Sequence, residues 1–190
     1  MTDSLLQAVV FLLDLFVGLY ILLLLLRLFV PFMAASHQNP LLQGILKATS
    51  PVVVPIRRLL PPIGRIDTAT LVVAFGFQYA LSFAKYALFG HFPGIGILAV
   101  TALFALAGQF LTLFLFAIFI RVILSWISPG NYNPASALIS GLTEPILRPF
   151  QRLIPPLGGF DISPIFAIAA LYVAMILLDG LETSALQMLI

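Results

Sequence analysis

The sequence predicts an all-α, polytopic membrane protein whose four transmembrane helices form two helical hairpins of the same orientation, each closed by short interfacial helices. Three observations predict this fold: four long apolar stretches, one polar and proline-rich pattern that occurs twice, and basic residues concentrated in its two copies. The chain is 62% hydrophobic and 8% charged. A soluble domain of 190 residues needs more charged side chains to cover its surface, so lipid must be its main solvent.

Each apolar stretch is long enough to cross about 30 Å of hydrocarbon at about 1.5 Å per helical residue. None of them has the period-2 alternation that a membrane β-barrel requires. The first stretch follows no basic segment and is longer than the apolar region of a signal peptide, so we expect it to be kept as a helix. The predicted spans are residues 5–30, 68–89, 97–127 and 162–181.

A segment of 41 residues recurs 94 positions along the chain without a gap, with 13 identical positions. We call residues 27–67 the first frame and residues 121–161 the second frame. Repetition at a fixed spacing indicates a duplicated unit, and it predicts repeats at residues 1–94 and 95–190. The identical residues are Arg27/Arg121, Asn39/Asn133, Pro40/Pro134, Ile45/Ile139, Thr49/Thr143, Pro51/Pro145, Pro55/Pro149, Arg58/Arg152, Leu59/Leu153, Pro61/Pro155, Pro62/Pro156, Gly64/Gly158 and Asp67/Asp161.

Each frame carries signals for where helices start and stop. Asn followed by Pro is typical of a helix start, because Asn accepts backbone N–H groups and Pro needs no donor at the first helical position. We expect short helices at residues 40–48 and 134–142, followed by second helices that begin at Thr49 and Thr143 and are bent by prolines. The paired prolines then prevent helix, and the glycine permits a turn.

Arg27 and Arg121 lie at the ends of the first and third spans, and Asp67 and Asp161 lie just before the second and fourth. An aspartate at this position is well placed to cap a helix. Because the Arg and the Asp recur together in each frame, we expect them to pair and to close each hairpin at the membrane interface.

Eight of the nine Lys and Arg residues lie in the frames or at their edges, Lys85 being the exception. Short basic loops stay cytoplasmic, so we expect both frames to face the cytoplasm and both termini to face the other side. Each frame then fits an interfacial hairpin whose cations bind anionic lipid phosphates; a re-entrant hairpin is the alternative. The candidate lipid- or partner-binding residues are Arg57, Arg58, Arg148 and Arg152.

Asp14 is the one acid well inside a predicted span, and an intramembrane carboxylate is a functional-site hypothesis by default. Gln78 and Gln109 of neighbouring spans reach a similar depth, so these three residues are candidates for an ion or proton pathway. The alternative is a structural role, in which Asp14 pairs with Lys85 or is held neutral by one of the glutamines.

Catalytic, metal and cofactor sites find no support in the sequence. The chain has no cysteine, which excludes disulfides, thiol catalysis and thiolate metal sites. It contains no GxSxG, HExxH, Walker loop or dinucleotide-binding glycine turn. From these missing motifs we predict no cofactor and no enzyme activity. Membrane topology accounts for the placement of the basic residues, so we also predict no nucleic-acid partner.

The repeated pattern Arg…Asn-Pro…Thr-x-Pro…Pro-x-x-Arg-x-x-Pro-Pro-x-Gly-x-x-Asp resembles the YggT family, also called YlmG-like, over nearly the whole chain. The resemblance implies a protein of the bacterial cytoplasmic membrane and supplies no agreed active site. Combined with the charge bias, this location would make both termini periplasmic. Family proposals include osmotic tolerance, cation uptake and envelope organisation. Gln151 and Gly159 replace Arg57 and Arg65 in the second frame, so we expect the two units to differ in phosphate or partner binding.

Two functions therefore compete. The first is a non-enzymatic factor in membrane homeostasis or organisation, whose basic face binds anionic lipid or another membrane protein. The second is a small K⁺ or H⁺ transport protein that uses Asp14. A transporter of this size is expected to form homo-oligomers, because four helices enclose little pore.

Overall fold

A computed structural model describes residues 2–33, 38–127, 133–154 and 161–189. In these ranges the chain forms six α-helices and one 3₁₀ turn, with no strand beyond an isolated bridge between Ile63 and Ile66. The elements are α1 (Thr2–Phe29), the 3₁₀ turn (Val30–Phe32), α2 (Pro40–Arg57), α3 (Thr68–Leu88), α4 (Ile95–Ile127), α5 (Pro134–Leu153) and α6 (Ser163–Gln187).

Four of these helices are long and apolar enough to cross a membrane: α1 with the 3₁₀ turn, α3, α4 and α6. They confirm the four predicted spans. Their apolar residues point in all directions, and Phe11, Phe16 and Phe166 lie exposed on the outside of the bundle. Helices that are apolar on every side are suited to a lipid surrounding, since only the inner side can pack on neighbouring helices.

The four spans pack in sequence: α1 contacts α3, α3 contacts α4, and α4 contacts α6. Ile21 of α1, Ala74 of α3 and Phe114 of α4 lie in one buried cluster at the centre. The helices α2 and α5 lie across one end of the bundle and add Val53 and Leu147 to the same cluster. One core therefore joins all six helices.

The helices α2 and α5 are amphipathic, and their buried residues recur every three or four positions, as helical periodicity requires. In α2 the buried face contains Leu42, Ile45, Thr49 and Val53. Asn39 accepts hydrogen bonds from the first backbone N–H groups of α2, and Asn133 does the same for α5, as predicted. The opposite faces are exposed and carry Lys47 and Arg57 on α2 and Arg148 and Arg152 on α5.

The predicted break at the threonines is wrong. Instead of separate helices at 40–48 and 134–142, α2 and α5 each continue through two internal prolines. Each proline removes one backbone hydrogen bond, but side chains supply others nearby. The hydroxyl of Thr49 donates to the carbonyl of Ile45, and Arg27 donates to the carbonyl of Leu46. These bonds and the burial of one face hold each helix together.

The chain leaves α2 through a tight loop that has the predicted turn chemistry. Pro61 and Pro62 are not helical, and Gly64 adopts φ +60° in the left-handed region that glycine tolerates. Asp67 then accepts a hydrogen bond from the backbone N–H of Thr70 and caps α3. The matching Pro155, Pro156 and Gly158 lie outside the described residues.

The two frames meet at the same end of the bundle. The side chain of Asn39 donates a 2.7 Å hydrogen bond to the carbonyl of Pro134, the first residue of α5. Leu42 and Ile45 of α2 form a small buried cluster with Leu138 of α5. Because α1 and α4 both lead to this end, the two hairpins have the same orientation, as predicted.

Gly76 and Ala80 of α3, like Ala170 and Ala174 of α6, recur at a four-residue spacing that predicts close helix packing in lipid. Gly76, Ala80 and Ala170 are exposed and Ala174 is partly exposed, so this stripe does not lie in the core, whereas other alanines of the spans, such as Ala74, are buried. A Cβ at Gly76 would meet no atom within 4 Å. Larger side chains such as Leu81 and Leu171 pack between the helices instead.

The two asparagine caps allow the contact between frames to be tested. Asn39→Ala removes a helix cap, worth about 1 kcal/mol, and also the bond to Pro134, worth about 0.5–1.5 kcal/mol. Asn133→Ala removes only the cap of α5. Thermal unfolding in detergent should therefore show a larger loss of stability for Asn39→Ala. Equal losses would mean that the contact between the frames adds no stability.

Candidate functional site at the basic end of the bundle

The basic residues cluster at the end of the bundle formed by α2, α5 and residues 58–67, which we call the basic end. Its cations differ in burial: Arg27 is only 4% exposed and Arg121 is half-buried, whereas the remaining six lie on the surface. Those six are Lys47, Arg57, Arg58, Arg65, Arg148 and Arg152. The predicted candidates Arg57, Arg58, Arg148 and Arg152 thus lie at one end of the molecule.

Arg27 anchors α1 to α2. Its Nη1 donates to the Thr49 hydroxyl at 2.8 Å and to the Ser50 hydroxyl at 3.1 Å. Thr49 is fully buried, and its hydroxyl both accepts from Arg27 and donates to the Ile45 carbonyl. A hydroxyl can play both parts at once, so this threonine connects the guanidinium to the backbone of α2.

Arg121 forms the same anchor in the second frame. Its Nη1 donates to the hydroxyl of Thr143 at 2.9 Å, and Thr143 donates to the carbonyl of Ile139. Glu144 replaces Ser50 and accepts from both terminal nitrogens of Arg121 at 3.2 Å. The identical Arg and Thr of the repeat thus perform one shared structural function.

Asp67 interacts with several polar groups of the first frame. Its carboxylate accepts hydrogen bonds from the hydroxyl of Thr70 and from Arg57, and it lies 3.8 Å from the Nε of Arg27. Burial acts to raise the pKa of the Asp67 carboxyl, but the bonds from Thr70 and Arg57 outweigh it and hold the pKa below its usual range. The predicted pairing of Arg27 with Asp67 is confirmed.

Asp161 has the equivalent place but weaker partners. Gln151, which stands where the first frame has Arg57, donates to its carboxylate at 2.9 Å. Partial burial acts to raise the pKa of Asp161, but hydrogen bonds from Ser163 and Gln151 lower it, helped by the charge of Arg121. Among the described residues Arg121 pairs with Glu144 and not with Asp161, so the predicted pair of Arg121 and Asp161 is wrong. Glu144 lies closer.

A cavity of about 340 Å³ opens beside the anchor of the first frame. Arg27, Arg57, Arg65 and Asp67 supply its charged lining. Arg65 was not among the candidates from the sequence, since the repeat highlights shared positions and Arg65 has no counterpart. One signal in the sequence pointed to Arg65: the second frame has Gln151 and Gly159 in place of Arg57 and Arg65. The apolar lining of the cavity consists of Val30, Pro31, Leu46, Pro62 and Gly64.

The polar residues inside the spans lie away from the basic end. Lys85 donates to both carboxylate oxygens of Asp14, at 3.0 and 3.1 Å, and both side chains are about half-exposed. This is the ion pair that we expected if Asp14 has a structural role. Asp14, Gln109 and Thr112 also line a mostly apolar groove of about 530 Å³ between α1, α4 and α5.

Gln78 is not part of this groove lining; it is buried on α3, and its side-chain oxygen has no hydrogen-bond partner. The structure therefore brings Asp14 and Gln109 to one groove and leaves out the third candidate. Within the described ranges, no three His, Asp or Glu side chains are close enough together to hold a metal ion.

A sequence model of the CCB3/YggT family matches the chain twice, over residues 6–88 and 100–181. The chain belongs to the CCB3/YggT family. The two matched segments each contain one frame, so the YggT unit is the repeat found in the sequence. No solved structure is significantly similar to this YggT-family protein.

Relatives in other bacteria cover most of its length. The uncharacterized protein PA0392 of Pseudomonas aeruginosa is 42% identical over 86% of this chain and 84% of its own. The uncharacterized protein YggT of Escherichia coli K12 is 36% identical over 86% and 85%. YlmG homolog protein 2, chloroplastic, of Arabidopsis thaliana is 38% identical over 33% of this chain and 25% of its own. Similarity thus extends to a plastid protein.

The carboxylates of the two frames should respond differently to pH. The folded-state pKa of Asp67 is lowered, so its charge adds stability above its unfolded-state pKa, and this stability is lost as the pH falls through the folded-state value. Asp67→Asn keeps a helix cap but loses the charge, which should lower stability at neutral pH by about 2 kcal/mol. Thermal unfolding in detergent at several pH values should show the two proteins converging in acid.

Asp161→Asn is the matched control. Asp161 is exposed and its side-chain partner Gln151 is neutral, so its substitution should have a smaller effect at neutral pH. If the two variants lose the same stability, the charge of Arg57 adds nothing to the first frame.

Proposed function

We propose that this YggT-family protein is a non-enzymatic organiser of the bacterial cytoplasmic membrane, whose basic end binds anionic lipid and through it positions membrane-protein partners. One observation carries the proposal: two paired amphipathic helices present their exposed cations at the same end of a bundle of apolar spans. Basic residues near an anionic leaflet gain about 1 kcal/mol each. The residues concerned are Lys47, Arg58, Arg148 and Arg152.

Exposed apolar side chains next to these cations support a lipid contact. Leu59 and Leu153 follow Arg58 and Arg152 directly and are 81% and 79% exposed. A cation beside an apolar side chain suits the boundary between headgroups and acyl chains, where each finds its own surroundings. The same Arg-Leu pair occurs at the end of α2 and of α5, so each frame contributes one such contact.

An interfacial position for α2 and α5 fits better than a re-entrant one. Their exposed faces carry Lys47 on α2 and Arg148 and Arg152 on α5. A re-entrant helix would place these cations in hydrocarbon, where each costs roughly 2.5–3.5 kcal/mol. At the interface they meet headgroups and water instead.

The basic end faces the cytoplasm in this proposal, and both termini face the periplasm. The positive-inside rule supports this orientation, because short loops rich in Lys and Arg are retained in the cytoplasm. Relatives of similar length occur in bacteria, and helical spans favour the cytoplasmic membrane over the outer membrane, whose proteins are mostly barrels. A basic lipid-binding end of this kind suits a role in osmotic tolerance or in the assembly of envelope complexes.

Charge reversal at exposed arginines tests the proposal. A triple variant with Arg58→Glu, Arg148→Glu and Arg152→Glu should lose lipid attraction worth about 1 kcal/mol per side chain. Lipid mass spectrometry on protein extracted in polymer nanodiscs should then show less enrichment of anionic over zwitterionic lipid. Recovery of crosslinked partners and growth after osmotic upshift should fall with it.

Asp14→Asn serves as the control and should leave the lipid enrichment unchanged, because Asp14 lies outside the basic end. Unaltered lipid enrichment and partner recovery in the triple variant would overturn the proposed function.

Cation transport is a second candidate, favoured by the groove between α1 and α4. There Asp14 lies near Gln109, whose side-chain oxygen is buried without a hydrogen-bond partner. An amide oxygen and a carboxylate can coordinate K⁺, and the carboxylate can also bind and release a proton. The ion pair with Lys85 argues against cation transport, because the ammonium group already neutralises Asp14.

A flux assay separates the two functions. In proteoliposomes, Asp14→Asn should abolish K⁺ or H⁺ flux by removing the only carboxylate of the groove lining, if the chain transports cations. Gln78→Ala, outside this lining, is the control and should leave the flux intact. Equal flux in the wild type, in Asp14→Asn and in protein-free vesicles would exclude this candidate.

A further inference from the structure

We propose that the cavity of the first frame binds the phosphate group of one anionic phospholipid. This inference deepens the proposed function, on which it rests, by naming a specific site within the basic end. The cavity is about 340 Å³, within the range of roughly 300–1,000 Å³ that small-molecule sites occupy. It lies between the end of α1, the C-terminal half of α2 and the loop before α3.

The charge of the cavity favours an anion. Three guanidinium groups line it, from Arg27, Arg57 and Arg65, against the single carboxylate of Asp67. Three positive charges minus one negative charge leave a net charge of +2. The Asp67 carboxylate is itself bound by Arg57 and Thr70, so it does not satisfy all of the cations around it.

Arg27 lines this cavity and carries an unused donor. Its side chain is 4% exposed, and its Nε has no hydrogen-bond acceptor among the described residues. Oδ2 of Asp67 is 3.8 Å away, beyond hydrogen-bond distance. A buried donor without an acceptor is unfavourable, and we expect a phosphate in the cavity to draw the guanidinium toward it and to supply the acceptor.

Arg65 presents a second unsatisfied cation. Among the described residues its contact is with the ring of Phe32, 5.7 Å from the guanidinium carbon, and it forms no ion pair. Guanidinium groups bind phosphate through two parallel hydrogen bonds, which makes arginine the preferred residue for this ligand. Arg27 and Arg65 therefore belong to two different elements of the lining, one to α1 and one to the loop.

The surroundings favour a lipid phosphate over a free one. Apolar Val30, Pro31 and Leu46 form part of the lining, and they suit the glycerol and first acyl carbons of a lipid. Phe32 at the end of the first span is 40% exposed beside Arg65 and adds apolar surface next to this cation. Headgroup phosphates lie at this level.

The second frame lacks two of the three cations, since Gln151 and Gly159 stand in place of Arg57 and Arg65. The proposal therefore predicts one such lipid for each chain. This separates it from general attraction at the surface, which both frames share through Arg58 and Arg152.

Native mass spectrometry of the full chain, delipidated in a non-ionic detergent, tests the site. Titration with short-chain phosphatidylglycerol should give one saturable lipid per chain, whereas phosphatidylcholine should bind weakly and without saturation. Arg65→Ala should raise the Kd for phosphatidylglycerol about tenfold or more, because it removes charge-assisted bonds. Arg65→Lys should retain part of the affinity.

Lys85→Gln is the control, since it removes a half-exposed cation that lies outside the basic end and does not line the cavity. It should change the Kd less than twofold. Arg65 is itself exposed, so Arg65→Ala should melt like the wild type. An unchanged Kd for Arg65→Ala, or an equal loss for Lys85→Gln, would overturn the site.

Inorganic phosphate distinguishes the two sources of the ligand. It should compete with phosphatidylglycerol only at concentrations about tenfold or more above the lipid Kd, because it lacks the apolar contacts. Competition at equal concentration, dependent on Arg65, would assign the site to free phosphate and overturn the lipid proposal. A failed cavity site leaves the triple-variant result at the exposed arginines intact, so the two proposals fail separately.

Discussion

The architecture depends on one guanidinium in each hairpin, buried at Arg27 of α1 and half-buried at Arg121 of α4. Neither lipid nor an apolar core can satisfy Arg27 or Arg121, so each requires acceptors from its own hairpin. The hydroxyls of Thr49 and Thr143 and the nearby carbonyls of α2 and α5 provide them. This bond holds an amphipathic helix across the end of the bundle, and the opposite face of that helix is then left to carry cations toward headgroups.

Duplication has kept this anchor and changed the charge around it. Gln151 reproduces the hydrogen bond that Arg57 makes to the aspartate, so the aspartate keeps a side-chain donor without the guanidinium. Glu144 in place of Ser50 adds an anion beside Arg121. The first frame is thus more cationic than the second, although both share one fold. Structure is retained at identical positions, and specialisation appears at positions that differ.

Much of this fold can be predicted from local signals. Apolar length predicts the spans, Asn followed by Pro predicts the starts of α2 and α5, and the charge bias predicts that both frames lie together. The continuity of α2 through Pro51 and Pro55 could not be predicted, because the proline rule describes an isolated helix and not one backed by Arg27 and Thr49. The ion-pair partner of Arg121 could not be predicted either. Its frame contains both Asp161 and Glu144, and only the packing of α4 on α5 selects Glu144.

The distribution of paired and unpaired charge indicates where the molecule can act. In the spans, Asp14 already has a counter-ion in Lys85, and the pair is neutral as a unit. At the basic end the acids are fewer than the cations, and the buried Asp67 is already bound by Arg57. The summed field of these cations raises the local concentration of anions, and salt screens this attraction beyond roughly 10 Å. Anions of the leaflet are the ligands that such a field attracts, so the physical basis for binding lies at the basic end.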